Sequence, residues 1–161
     1  MIAYISDASP LIALSHLERL DLLEAMFGTV IVPPSVAKEV AEPRYEFGGL
    51  RVETIPFFKV EAPSSVSVVV ARFPNLDQGE LDAISLAMES PSCVLIIDEL
   101  AGRAAARSLG LAMVGTIGIL QRAKLAGRIA LIKPMLDRLR SEINFHLSEQ
   151  FYRATLDEMK E

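Results

Sequence analysis

Short runs of Val, Ile and Leu alternate along this chain with stretches whose apolar positions recur at helical spacing. The runs are MIAYIS, TVIV, CVLII and LAMV, and a helix-like segment follows each of them. Strands that are buried on both faces of a parallel sheet read in this way, because covering helices leave neither face to water. The pattern predicts an α/β fold built on parallel strands. With 161 residues, the chain fits one domain spanning 1–161, by the usual guide of about 100–200 residues per domain.

Punctuation residues set the element boundaries. Ser9-Pro10 marks a helix start, with a capping side chain followed by proline at the first helical position. The helical stretch PLIALSHLERLDLLEAMF is broken or bent near Glu18 to Asp21 and closes at Gly28. After TVIV, Pro33-Pro34 turns the chain into the helix SVAKEVAE. Residues 43–63 are the least regular, with Gly48-Gly49 and three prolines, and suit a flap. LRVETIPFFKVEA alternates in part and adds a short extended piece, while residues 64–73 fit strand and helix equally. From Asp77 the pattern sharpens into the helix DQGELDAISLAME, the strand CVLII, the helix ELAGRAAARSL ending at Gly110, and the strand LAMV. This is a βαβ alternation. Thr116 opens a helix ending near Gly127, another covers about 133–140, and Ser148 caps a terminal amphipathic helix.

Four acids fall where such a sheet would gather them. In an open α/β sheet, ligands bind outside the carboxyl ends of the strands, where the crossover helices begin. Asp7 follows the first run and Asp98 follows CVLII; Glu39 and Glu80 lie in the first turns of their helices. All four are expected on one rim. Crowded carboxylates repel one another, and a divalent cation removes that penalty. Hard oxygen donors suit Mg²⁺ or Mn²⁺, whose remaining positions water and phosphate oxygens fill.

Each acid also has a plainer role open to it. Asp7 and Asp98 suit helix caps. Glu39 suits a solvated helix face, with Glu42 as its rival three residues on. Glu80 suits the N3 position of a capping box with Asp77. Ser9 and Thr116 suit caps too, or phosphate contacts at a helix start, and Ser9 could orient a bound water. Arg103, one turn into the helix after Asp98, suits a pairing with a rim carboxylate or a contact to a phosphate.

Composition adds three constraints. The chain is 51% hydrophobic with a mean hydropathy of +0.34, an excess that points to a subunit interface and a homo-oligomer. The single cysteine, Cys93, excludes a disulfide framework within the monomer. No run approaches the roughly 18 apolar residues of a membrane span, and a cytoplasmic location is expected. His16 and His146 are too isolated to suggest zinc, and phosphate-binding glycine loops are absent.

The net charge of −5 argues at first against a nucleic-acid partner. Between residues 100 and 140, however, Arg103, Arg107, Arg122, Lys124, Arg128, Lys133, Arg138 and Arg140 face Asp137 alone, a local +7 that leaves −12 for the rest. A basic flank beside an acidic rim suits a phosphodiester polymer. Solvated helix faces are the plainer reading of each cation.

In their order and spacing, DASPLIAL, PPSVAKEV, LDQGELDAISLA, IIDELAGRAAARSLGL and VGTIGILQRAKLAGRI resemble the PIN-domain proteins, especially a VapC-toxin-like branch of PIN nucleases. The resemblance covers nearly the whole chain. It implies a three-layer α/β/α sandwich with a central parallel sheet and a Mg²⁺- or Mn²⁺-dependent endoribonuclease activity. It also implies a small antitoxin partner and a homodimer. Asp7, Glu39, Glu80 and Asp98 match the family's acidic ligands. Ala101 stands where many PIN nucleases carry a further acid three residues after the one matched by Asp98, which puts a second metal in question. Two other classes compete. A haloacid-dehalogenase-type phosphatase wants a second acid where Ser9 stands. A catalytically silent RNA- or partner-binding module would rely on the basic flank.

Overall fold

The computed structural model describes residues 1–43 and 49–161. Five strands form one all-parallel sheet: β1 (Ala3–Ser6), β2 (Val30–Val32), β3 (Phe58–Val60), β4 (Cys93–Ile96) and β5 (Ala112–Val114). Their order across the sheet is β3-β2-β1-β4-β5. The chain builds outward from β1 in one direction and then crosses back to add β4 on its other side. The topological switch therefore lies between β1 and β4, the crevice where such sheets bind ligands. β1 pairs with β4 from Ala3 opposite Cys93 to Ser6 opposite Ile96, so residues following both strands emerge together.

Helices cover both faces, completing the α/β/α sandwich. Alternation along the strands divides the core. Ile5, Leu95 and Ile97 point to the layer of α4 (Ser67–Arg72), α5 (Gln78–Glu89) and α6 (Leu100–Ser108). Val30, Val32, Ile96 and Val114 point to the layer that holds α1 (Ala8–His16), α2 (Asp21–Phe27), α3 (Pro34–Ala41) and α7 (Thr116–Leu125). In that same layer lie α8 (Lys133–Glu142) and α9 (Glu149–Glu158). Ile84, Leu14 and Leu120 are fully buried, each contributing about 1.5–3 kcal/mol of transfer free energy.

Several boundaries differ from the sequence expectation for local reasons. The first helix begins at Ala8, with Asp7 rather than Ser9 at the N-cap. The break expected near Glu18 separates α1 from α2, with Glu18 at φ 58°. Gly28 ends α2 at φ 70°, a conformation that costs glycine little. Proline at the first helical position starts α3 at Pro34. The extended piece in LRVETIPFFKVEA becomes β3, preceded by a 3₁₀ turn over Val52–Thr54. Part of the proposed flap, residues 44–48 with Gly48, lies outside the described residues. Among the described residues, no helix is long and apolar enough to cross a membrane.

Candidate functional site

Asp7 leaves β1 as its backbone N–H donates to Ile96 O at 2.9 Å, which ties it to the end of β4. It occupies the N-cap of α1 but makes no side-chain capping bond; the N3 residue is Pro10, which has no N–H to offer. The cap alternative for Asp7 thus lacks its defining hydrogen bond. The side chain is 3% exposed. Burial pushes its carboxyl from 3.8 up to about 8, the Ala8 N–H opposes that rise, and the charges of Asp77, Glu80 and Glu39 add to it.

Glu80 joins the same group from α5. The capping box with Asp77 is present: Glu80 N–H donates to Asp77 Oδ1 at 2.8 Å and Asp77 N–H donates to Glu80 Oε2 at 3.0 Å. Glu80 is therefore a structural cap and a rim acid together. Burial raises its carboxyl above the usual range, the Asp77 N–H lowers it, and Asp77, Glu99 and Glu39 raise it further. Glu39, half-buried on α3, contributes to both fields. Asp82 turns away, accepting from the Ser35 hydroxyl of α3 and from the Gln78 amide of its own helix.

Asp98 follows β4, one residue past Ile97, whose N–H still donates to Val114 O at 2.9 Å. Thr116, the first residue of α7 and fully buried, holds both of its oxygens: the Thr116 N–H donates to Oδ1 at 2.7 Å and its hydroxyl to Oδ2 at 2.6 Å. Burial raises the Asp98 carboxyl, the two Thr116 bonds and the Arg103 charge lower it, and Glu99 raises it. Arg103 Nη1 donates to Ile97 O at 2.9 Å and so stands beside Asp98 as a fixed cation.

Glu99 joins the two halves. Although adjacent to Asp98 in sequence, it accepts from the Ser9 hydroxyl at 2.9 Å and raises both Glu80 and Asp98. Sequence reasoning weighs Glu99 as a substitute for the acid absent at Ala101 and sets it aside because adjacency to Asp98 would turn it elsewhere; the signal that could have kept it is Ser9, a hydroxyl on α1 with no cap to make. Two glycines were also passed over. A Cβ on Gly79 would stand 3.1 Å from Asp7 Oδ1, and one on Gly115 would stand 2.7 Å from Asp98 Oδ1. Both backbones approach too closely for a larger residue without a shift of the carboxylate.

The donor chemistry fits a divalent cation, since several buried carboxylates compete for negative charge. Among the described residues, no three Asp, Glu, His or Cys side chains are grouped so as to hold an ion. Glu80 and Asp98 point their oxygens at Asp77 and Thr116. Magnesium takes one or two protein carboxylates and keeps several waters, which this arrangement allows.

Half of the basic flank is neutralised by its own surroundings. Lys124 pairs with Glu161, Lys133 with Asp137, Arg138 with Glu142, and Arg140 with Glu149. Three of those acids lie outside the 100–140 window, so the local +7 is not a free cationic track. Arg107 and Arg122 are exposed and have no ion pair among the described residues.

Beside Asp98 and Glu99 opens a cleft of ≈ 1080 Å³, walled by α1, α7 and the α8–α9 connection. A family model for the PIN domain matches residues 3–161. No curated protein matches the chain.

Proposed function

Because the chain belongs to the PIN-domain family, whose fold is that of nucleases, we propose that it is a metal-dependent endoribonuclease that hydrolyses RNA phosphodiester bonds. The observation that carries this reading is the set of buried and half-buried, mutually repelling carboxylates at the β1–β4 switch point, where Asp7 is pushed up to about 8. Such a cluster costs stability unless a cation or protons neutralise it. Asp7, Glu39, Glu80 and Asp98 would hold Mg²⁺ or Mn²⁺, one or two of them directly. When bound, the ion supplies a water of lowered pKa and polarises the scissile phosphate.

The chain's own groups position and exclude. Thr116 fixes the direction of both Asp98 oxygens. The Asp77 N–H fixes one oxygen of Glu80. Ser9 holds Glu99 at the rim, where this carboxylate would accept a proton from an attacking water. Arg103 stands by Asp98 and offers a cation to phosphate. The dry floor around Asp7 strengthens every charge interaction above it.

The finer parts of the reading rest on the sequence. Likeness of five segments to the VapC-like branch supports a toxin paired with a small antitoxin, acting in the cytoplasm. Exposed Leu125 and Leu131 offer apolar area to a homodimer. The silent-module reading is weaker, because half of the basic flank it relied on is paired internally.

The deciding experiment is RNA cleavage by contaminant-free protein with and without Mn²⁺, run beside Asp98→Asn. Cleavage that needs Mn²⁺ and falls at least about a hundredfold in the variant is expected. Wild type that leaves RNA intact, or a variant that cuts as well as wild type, ends the proposal.

A further inference from the structure

The cleft beside Asp98 contains more chemistry than phosphate hydrolysis requires. Asp98, Glu99 and Ser9 form part of its wall, and the segment from Ile143 to Phe151 forms another part. That segment alternates: Ile143 and Leu147 are buried in the core, Phe145 is half-buried against it, and Asn144 and His146 are exposed. Its backbone is pinned at both ends. Phe145 N–H donates to Leu139 O at 3.0 Å, and Phe151 N–H donates to the Ser148 hydroxyl at 3.1 Å. Asn144 takes φ 53°, a left-handed conformation that asparagine tolerates better than most residues.

Two features of this wall point to a ligand. The side chains of Asn144 and His146 have no hydrogen-bond partner among the described residues. Phe151 leaves 52% of its surface exposed, on the first turn of α9, where its neighbour Tyr152 is buried. An aromatic face and two solvent-facing polar side chains, free of protein partners and held on a fixed backbone, are what an unstacked nucleobase uses: a ring to stack on, and donors and acceptors along its edge. The volume exceeds the range of about 300–1,000 Å³ typical of small-ligand pockets, leaving room for a nucleotide with its sugar.

We propose that this cleft is a base-binding subsite. It receives an unpaired base of single-stranded RNA next to the phosphate presented to Asp98, stacking it on Phe151 and reading its edge with Asn144 and His146. This rests on the reading of the rim as the phosphodiester-cleaving centre. An apolar peptide of a partner protein is the rival occupant. The continuity of the cleft with the acid rim and its unpaired polar groups favour RNA.

The test is fluorescence anisotropy of a short labelled single-stranded RNA, with Ca²⁺ replacing Mn²⁺, using intact RNA and versions with one abasic nucleotide at successive positions. In the wild type, one abasic position should weaken binding about tenfold. Phe151→Ala should weaken binding of intact RNA by a similar factor and lose sensitivity to that abasic position. The exposed pair Asn144→Gly, which keeps the left-handed backbone, with His146→Ala should alter which base is preferred there, without disturbing the fold. Equal binding of intact and abasic RNA by the wild type, or wild-type affinity in Phe151→Ala, overturns the subsite, and a peptide-binding cleft gives that same result. A parallel Mn²⁺ cleavage assay separates the two proposals. Cleavage without any abasic effect removes the subsite alone, whereas the abasic signature without cleavage removes the nuclease reading and keeps the subsite.

Discussion

Replacing Asp7 with Asn removes a carboxyl that the folded chain can ionise only at a loss. Asp7 is 3% exposed, and its carboxyl is raised from 3.8 to about 8, first by burial. An acid whose folded pKa exceeds its unfolded value binds its proton more tightly when folded. The stability it contributes is therefore full below about pH 4 and is lost as pH rises toward about 8. At about 1.4 kcal/mol per unit, the loss accumulated by pH 7 is on the order of 4 kcal/mol. Glu80 and Asp98 are raised as well and act in the same sense. The lowered acids Asp21, Asp137, Glu142, Glu149 and Glu161 act in the opposite sense. Their contribution falls only as pH drops through and below the ordinary carboxylate range, so the two windows separate.

Asparagine keeps the shape of the neutral acid and escapes the decline. Urea unfolding in chelator, at about pH 5, 7 and 8.5, should show Asp7→Asn gaining on wild type as pH rises, by about 2–4 kcal/mol at pH 7, with the gap levelling beyond about pH 8. Adding Mg²⁺ or Mn²⁺ should raise the stability of wild type more than that of the variant. A gap that does not change with pH, or a variant plainly less stable than wild type at pH 7, refutes the electrostatic reasoning.

Two further substitutions probe how the rim is held. Gly115→Ala places a Cβ 2.7 Å from Asp98 Oδ1 and 3.1 Å from Arg103 Nη1. Asp98 must then loosen from the Thr116 N–H, with an expected stability loss of about 1–3 kcal/mol and at least a tenfold fall in Mn²⁺-dependent cleavage, read from unfolding curves and initial rates; unchanged rates would show that this alignment does not matter. Asp77→Ala deletes the α5 cap and should cost about 1 kcal/mol, whereas Asp77→Asn keeps the cap and removes a charge that raises Asp7. The Asn variant should retain wild-type stability at low pH and exceed it near pH 7; equal pH profiles for wild type and Asp77→Asn would remove Asp77 from the rim's electrostatics.

The strands nearest the switch point were legible because they are buried on both faces and read as unbroken apolar runs. β3 is an edge strand with Lys59 and Val60 exposed, so its pattern is weak, and the sequence allowed it only a short extended piece. Val66, Val68 and Val70 gave residues 64–73 a strand-like composition, yet Ser67–Arg72 is helical, with Val69 buried against the α5–α6 layer. Packing overrides propensity in so short a segment. The positions of Asp7, Glu80 and Asp98 followed from topology, and the Asp77–Glu80 capping box from spacing. The bond from Ser9 to Glu99 spans 90 residues, beyond any local pattern. The basic flank misled for the same reason: Glu142, Glu149 and Glu161, which neutralise part of it, fall outside the window in which charge was counted.

The rim acids Asp7, Glu80 and half-buried Asp98 are not equivalent, and their difference says where a counter-charge would act most strongly. Asp98 has both oxygens satisfied by Thr116 and a guanidinium beside it. Glu80 has one oxygen satisfied by the Asp77 N–H. Asp7 has only the Ala8 N–H in opposition to burial and to three negative neighbours, and it is more deeply buried than Glu80. Ordinary selection for stability would replace such a group with an amide or an apolar residue, since an unpaired buried charge is among the costliest features a fold can carry. Keeping a carboxylate there makes physical sense if a cation recovers the cost. The gain from cation binding should accordingly be largest through Asp7, with Asp98 and Glu80 acting as oriented partners whose direction the protein has already fixed.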